Sequence, residues 1–339
     1  MKLLNRLRLY FPTIFLIGVF FAATIIVIFR RTDDVHVLRW AHVYETSSPY
    51  HAEALWAAEQ VYARTNGRYR IRVYPASSLG NEVSINEALE LGSVDLIYTG
   101  ASLAAQYYGP LSLSDYPYTI RDLEHWKAYK RSDLFTELSD GYSSATGNEI
   151  MSLVYYGFRH VISNKAIHTP ADMKNLKIRV PQAQPFMMMP QQTGANPTPM
   201  PFQEVYLGLQ QGVIEAAENP LTTIYYKRFY EVQSHISLTG HIANSLVIVG
   251  SGDMLDSLSA EDREIVSTTI TQASDRAIAT IIKQETEFLE WYRENGIIVT
   301  EPERAAFAKA VRPALSNPGM PFTAQQLERL EALAVDSKT

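Results

Sequence analysis

At 339 residues, 46% hydrophobic and 19% charged, the chain has material for two domains of ordinary size with filled cores, which excludes a disordered protein. It contains no cysteine, so disulfides, thiolate zinc sites, cysteine nucleophiles and a lipid-modified cysteine near the start are excluded too. The net charge is −6, and five basic residues with no acidic one fall within the first 31, so removing those five leaves −11 on the remainder. Such a body disfavours nucleic acid, and it can bind an anion only through a local cluster of donors.

Lys2, Arg6 and Arg8 precede twenty uncharged residues, Tyr10 to Phe29, and Arg30 and Arg31 close the run. This order is that of an export signal, but a secretory apolar region spans about 7 to 15 residues and a membrane-crossing helix needs about 20. The one small pair, Ala22 and Ala23, lies inside the apolar run, where cleavage would leave apolar residues on the mature chain. Residues 1–31 are therefore read as a signal that stays as an anchor, with 10–29 in the inner membrane and the rest in the periplasm. The small excess of basic residues before the run adds little to that orientation.

From Val35 the chain alternates strand and helix patterns. VHVLRWAHV reads as a strand, Tyr50 to Thr65 as a helix stopped by Asn66 and Gly67, and RIRVYP as a half-buried strand in which Ile71 and Val73 alternate with arginines. Ser84 with Glu87 forms a capping box opening the next helix, and Gly92 stops it. SVDLIYTG is a third strand, whose polar end at Tyr98, Thr99 and Gly100 is where an open α/β sheet binds ligands. A second α/β unit starts near Gly157, with helix starts at Thr169, Pro170, Asp172 and at Pro201, Glu204.

Two lobes follow, and Ala260 to Asn295 runs 36 residues without glycine or proline, behind Ser259 as a cap. A helix of that length reaches about 54 Å, more than one lobe is wide, so it crosses both. The predicted class is α/β, with an anchor segment at 1–31. Lobe I comprises 33–156 with about 245–284, and lobe II comprises 157–244 with about 285–335.

The middle of the chain carries the chemistry. Arg179 sits in the strand-like KIRVP among Leu176, Ile178 and Val180, so its guanidinium must find acceptors for five fixed donors. A planar anion suits that fork, while an internal pair with Asp172 or Glu215 satisfies it equally well on sequence position alone. Asn219 before Pro220 is either a turn residue or a ligand contact. The methionines of QPFMMMPQQ read as core.

TNGRYRIRVYPASSLGN, ELGSVDL, TPADMKNLKIR, GANPTPMPFQEVY and ENPLTTIYYKRFYEVQ together resemble the solute-binding proteins of tripartite ATP-independent periplasmic (TRAP) transporters, from about Trp40 to the late 320s. The resemblance implies a two-lobed periplasmic binding protein fold with a hinge and a long helix spanning both lobes. It implies that Arg179 pairs with a ligand carboxylate, that Asn219 donates to the same group, and that Arg159 in YYGFRHV is a second arginine of the site. Phe202 is expected under the ligand and His241 in the cleft, though either serves equally as core. From the first lobe, Tyr44, Asn81, Tyr98 and Thr99 are the candidates, with His42 and Glu45 beside them. Arg159 could also be a surface residue on a strand edge.

The expected activity is capture of a small organic acid, a dicarboxylate or sugar acid, by a monomer that hands it to TRAP permease membrane subunits. A membrane-anchored sensor of the same ligands is the alternative. No HExxH, G-x-S-x-G, phosphate loop or G-x-G-x-x-G occurs, and His36, His51 and His125 lack metal-ligand spacing, so neither catalysis nor a cofactor or metal is expected.

Overall fold

A computed structural model describes residues 35–336, so the expected anchor lies outside the described residues. In chain order the strands are β1 (His36–His42), β2 (Tyr69–Tyr74), β3 (Leu96–Gly100), β4 (Glu149–Ser163), β5 (Lys177–Val180), β6 (Asn196–Pro199), β7 (Ala216–Pro220), β8 (His235–Gly250) and β9 (Ile298–Thr300). They form one mixed sheet of order β2-β1-β3-β8-β4-β7-β5-β6, with β9 added to β8. β1 is parallel to β2 and β3, and β5 is parallel to β6 and β7, so each half is an α/β unit with helical crossovers.

The two lobes are not separate sheets. β4 and β8 are 15 and 16 residues long and run through both, because their apolar runs continue where the alternating pattern suggests a boundary. Glu149 to Tyr155 of β4 pairs with Ser245 to Gly250 of β8, beside β3, whereas Arg159 to Ser163 lies between β8 and β7. The register shifts between Tyr155 and Gly157, and Gly157 has φ +119°, a conformation that L side chains rarely adopt. A Cβ there would stand 2.8 Å from Glu285 Oε1 and 2.9 Å from Pro220 Cβ. At this irregular point β4 passes from the stretch beside β3 to the stretch beside β7.

Helix Ala260–Glu294, 35 residues and therefore about 52 Å long, is capped by Ser259, whose Oγ accepts from the Asp262 amide at 3.1 Å. Its first part holds lobe I, through Arg68 to Asp262 at 2.5 Å and Ser152 to Ser274 at 2.6 Å. Its last part holds lobe II: Phe288 stacks on Tyr225 with ring centroids 4.0 Å apart, and the Tyr292 hydroxyl donates to Leu221 O at 2.8 Å. Between them Glu285 accepts from the Phe158 amide at 2.9 Å and the Tyr155 hydroxyl at 3.0 Å, beside Gly157. Burial, only partly offset by those two donors, raises its pKa to about 7.

The helix after β2 begins earlier than the capping-box pattern predicts. It spans Glu82–Glu90, and its cap is Asn81, whose Oδ1 accepts from the Ser84 amide at 3.0 Å and the Ser84 hydroxyl at 3.2 Å. Met188 and Met189 are buried in the core from helix Gln184–Gln192. Among the described residues no helix is long and apolar enough to cross a membrane.

Candidate functional site

β5 delivers Arg179 to the interface between the lobes, where its residue exposure is 2%. Nε and Nη2 both donate to Met200 O, at 2.9 and 2.7 Å, while Nη1 is buried without a partner. Neither alternative carboxylate meets it. Asp172 accepts from the Thr169 and His168 amides, and Glu215 accepts from the Lys177 amide at 2.9 Å. Burial first, and then the neighbouring Arg159, push the Arg179 pKa down to about 10. A buried guanidinium with an idle nitrogen and no carboxylate in hydrogen-bond contact gains a partner when an anion arrives.

Arg159, on β4, is also 2% exposed, so it is no surface residue, but it is already paired. Nε and Nη2 take the two Glu218 carboxylate oxygens at 2.5 and 2.8 Å, Nη2 also reaches Glu218 O at 2.6 Å, and Nη1 donates to Asn244 Oδ1 at 2.7 Å. Four of its five N–H donors are thereby used. Burial pushes the Glu218 carboxyl up, but Arg159 and His241 outweigh it and hold it below the usual carboxylate range. The pair makes Arg159 a balanced cation that braces the site.

The ends of the parallel strands supply the rest. β7 ends at Asn219, whose Oδ1 is buried without a partner, and β1 leads to Tyr44. These residues with Arg159, Arg179 and Phe202 line one cavity between the lobes. Phe202 faces the Arg179 guanidinium at 5.9 Å, and Phe186 faces that of Arg159 at 4.8 Å. A second, apolar cavity adjoins it at Tyr44, Tyr156 and Phe202. At its edge Lys227 of lobe II bonds Glu45 of lobe I at 2.6 Å, holding the lobes together across the cleft.

Four candidates lie elsewhere. Asn81 spends its side chain on the helix cap. Tyr98 is packed on Trp40 and Tyr50, and Thr99 Oγ1 accepts from Asn86 Nδ2 at 2.9 Å, because β3 is covered on both faces and only its last residue, Gly100, reaches the cavity. His241 stands behind the lining, with Nε2 3.1 Å from Glu218 Oε2 and Nδ1 2.8 Å from Thr239 Oγ1. Burial lowers its pKa despite Glu218. His42 is likewise buried, against His51 at 3.2 Å.

Sequence reasoning missed Glu82, Leu103, Tyr156, Phe186 and Asn244 in the lining. Asn244 had a signal, a carboxamide inside the apolar run of β8, and its Nδ2 is buried without a partner. Glu82 had none, being one ordinary acid in a first helical turn. Burial raises its pKa, against the Gly100 amide, Arg179, Arg159 and Tyr44, which pull it down.

The family model for bacterial extracellular solute-binding proteins, family 7, matches residues 40–318. The chain belongs to this family. The solute-binding protein is 30% identical over 272 residues to the sialic acid-binding periplasmic protein of Vibrio cholerae, covering 79% of this chain and 85% of that one. It is 30% identical to the 2,3-diketo-L-gulonate-binding periplasmic protein of Escherichia coli, covering 79% and 83%. Among solved structures it resembles a TRAP periplasmic solute-binding protein from Polaromonas bound to D-erythronate, with a TM-score of 0.83, 28% identity and coverage of 88% and 98%. All three are binding proteins for acids, and the two-lobed α/β fold is common to the family.

Proposed function

We propose that this solute-binding protein captures a small organic acid between its lobes and delivers it to the membrane subunits of a TRAP permease, binding without catalysis. The observation that carries the reading is Arg179 Nη1, a buried cationic donor with no partner on the wall of the interlobe cavity. A ligand carboxylate supplies the missing charge, and its second oxygen reaches Asn244 Nδ2, which is also unpartnered. Arg159 and Glu218 hold the floor of the cavity rigid, and the lobe contacts of Glu45 and Lys227 close over it.

Ligand contacts from both lobes favour the closed arrangement over an open one, since only differential contacts shift such a population. The N-terminal run, if retained, keeps this cycle close to the membrane. The test is a thermal-shift screen of the full chain against organic acids. An acid at 100 times its dissociation constant stabilises by about 2.7 kcal/mol, readily seen as a raised melting temperature. Failure of every dicarboxylate, aldonate, uronate and ulosonate to shift the melt would refute the proposal.

A further inference from the structure

The cavity wall carries one feature that the capture of a carboxylate does not use: an acid. Glu82 opens helix Glu82–Glu90 of lobe I and lines the same cavity as Arg159 and Arg179 of lobe II. Building on the organic-acid reading, we propose that Glu82 selects the far end of the ligand. The cavity takes a small monocarboxylate bearing a hydroxyl or ammonium donor opposite its carboxylate, and it rejects dicarboxylates of the same length.

The charges of the lining decide this. Arg159 is cancelled by Glu218, in contact at 2.5 Å, so Arg179 and Glu82 remain as one cation and one anion among the described lining residues. One ligand carboxylate answers Arg179. A second would lie in a closed space whose remaining charged group is already negative, where like charges repel with little water to screen them. A hydroxyl or an ammonium in that position instead forms a charge-assisted bond. Glu82 has room for it: Oε1 accepts one long bond, 3.3 Å from the Gly100 amide, and the Tyr44 hydroxyl interacts with the same carboxylate, whereas a carboxylate can accept about four bonds.

The idle donors, Arg179 Nη1 and Asn244 Nδ2, belong to β5 and β8, and the idle acceptor Asn219 Oδ1 to β7, while the one carboxylate of the lining, Glu82, comes from the helix of the other lobe. A ligand spanning the lobes therefore meets amide and guanidinium groups from one lobe and a carboxylate from the other.

Three four-carbon acids separate the possibilities by calorimetry on the full chain: D-erythronate with hydroxyls, 4-aminobutyrate with an ammonium, and succinate with a second carboxylate. Wild type is expected to bind erythronate or 4-aminobutyrate at least about tenfold tighter than succinate, and which of the two wins identifies the donor. Glu82→Gln, checked for folding by its melting curve, is expected to shrink that ratio by about tenfold, mainly by strengthening succinate. If the variant does not fold, the wild-type ranking decides alone. Succinate binding as tightly as the others to wild type, or a ratio unchanged in Glu82→Gln, would overturn the assignment. Succinate binding that is lost in Arg179→Lys sinks only the role of Glu82, whereas no binding of any acid sinks the carboxylate site as well.

Discussion

Replacing Arg179 by methionine separates a binding arginine from a structural one. The side chain is buried, its Nη1 has no partner, and its pKa is held at about 10, below the ordinary arginine value. That depression corresponds to a cost of holding the cation in the ligand-free protein on the order of 3 kcal/mol. Methionine removes this cost but strips Met200 O of its two donors, which costs about 1–3 kcal/mol for a buried acceptor.

The two nearly cancel, so the ligand-free melting temperature of Arg179→Met is expected to stay close to that of wild type. Ligand binding, measured by calorimetry, is expected to vanish, and Arg179→Lys is expected to lose about 10- to 150-fold, since one ammonium cannot serve Met200 O and a carboxylate together. Arg159→Met is the contrast. It leaves Glu218 buried without its partner, and the expected loss of stability is about 3–5 kcal/mol. Retained affinity in Arg179→Met, or a loss of ligand-free stability equal to that of Arg159→Met, would refute the reasoning.

Glu285 makes stability depend on pH. Its folded pKa of about 7 exceeds the ordinary 4.5, so its contribution is fully present below pH 4.5 and is lost as pH rises through 7. Denaturant melts at several pH values are expected to show a slope in that window, up to about 3 kcal/mol in total, that Glu285→Gln removes; an identical slope in the variant counts against it. Gly157→Ala, forced to φ +119° with its Cβ against Glu285 and Pro220, is expected to cost at least about 2 kcal/mol, and unchanged stability would contradict the packing there. The intact mass of protein taken from host membranes is expected to retain residues 1–31; a soluble mature chain starting near Thr32 would end the anchor reading.

The first three strands with the helices between them, the strand carrying Arg179 and the long helix were legible in the sequence, because period-2 and period-3.6 apolar patterns and turn residues are local properties. Arg179 stood out for a local reason too: a charge inside an apolar strand demands an acceptor. What tertiary structure alone decided is which groups share the cavity and which are already spent. Arg159 and Arg179 look equivalent in sequence, yet β7 brings the Glu218 carboxylate into hydrogen-bond contact with the first, while the second bonds only Met200 O. Tyr98 and Thr99 stand at a strand end where ligands bind, but sheet and helix packing covers both faces, leaving Gly100 at the opening. Asn81 and Glu82 are neighbours, and a hydrogen bond to Ser84 three residues on turned one into a cap and left the other facing the arginines. Pairing across 59 residues between Arg159 and Glu218, or across the cleft between Glu45 and Lys227, depends on how distant segments meet, and no local pattern carries that information.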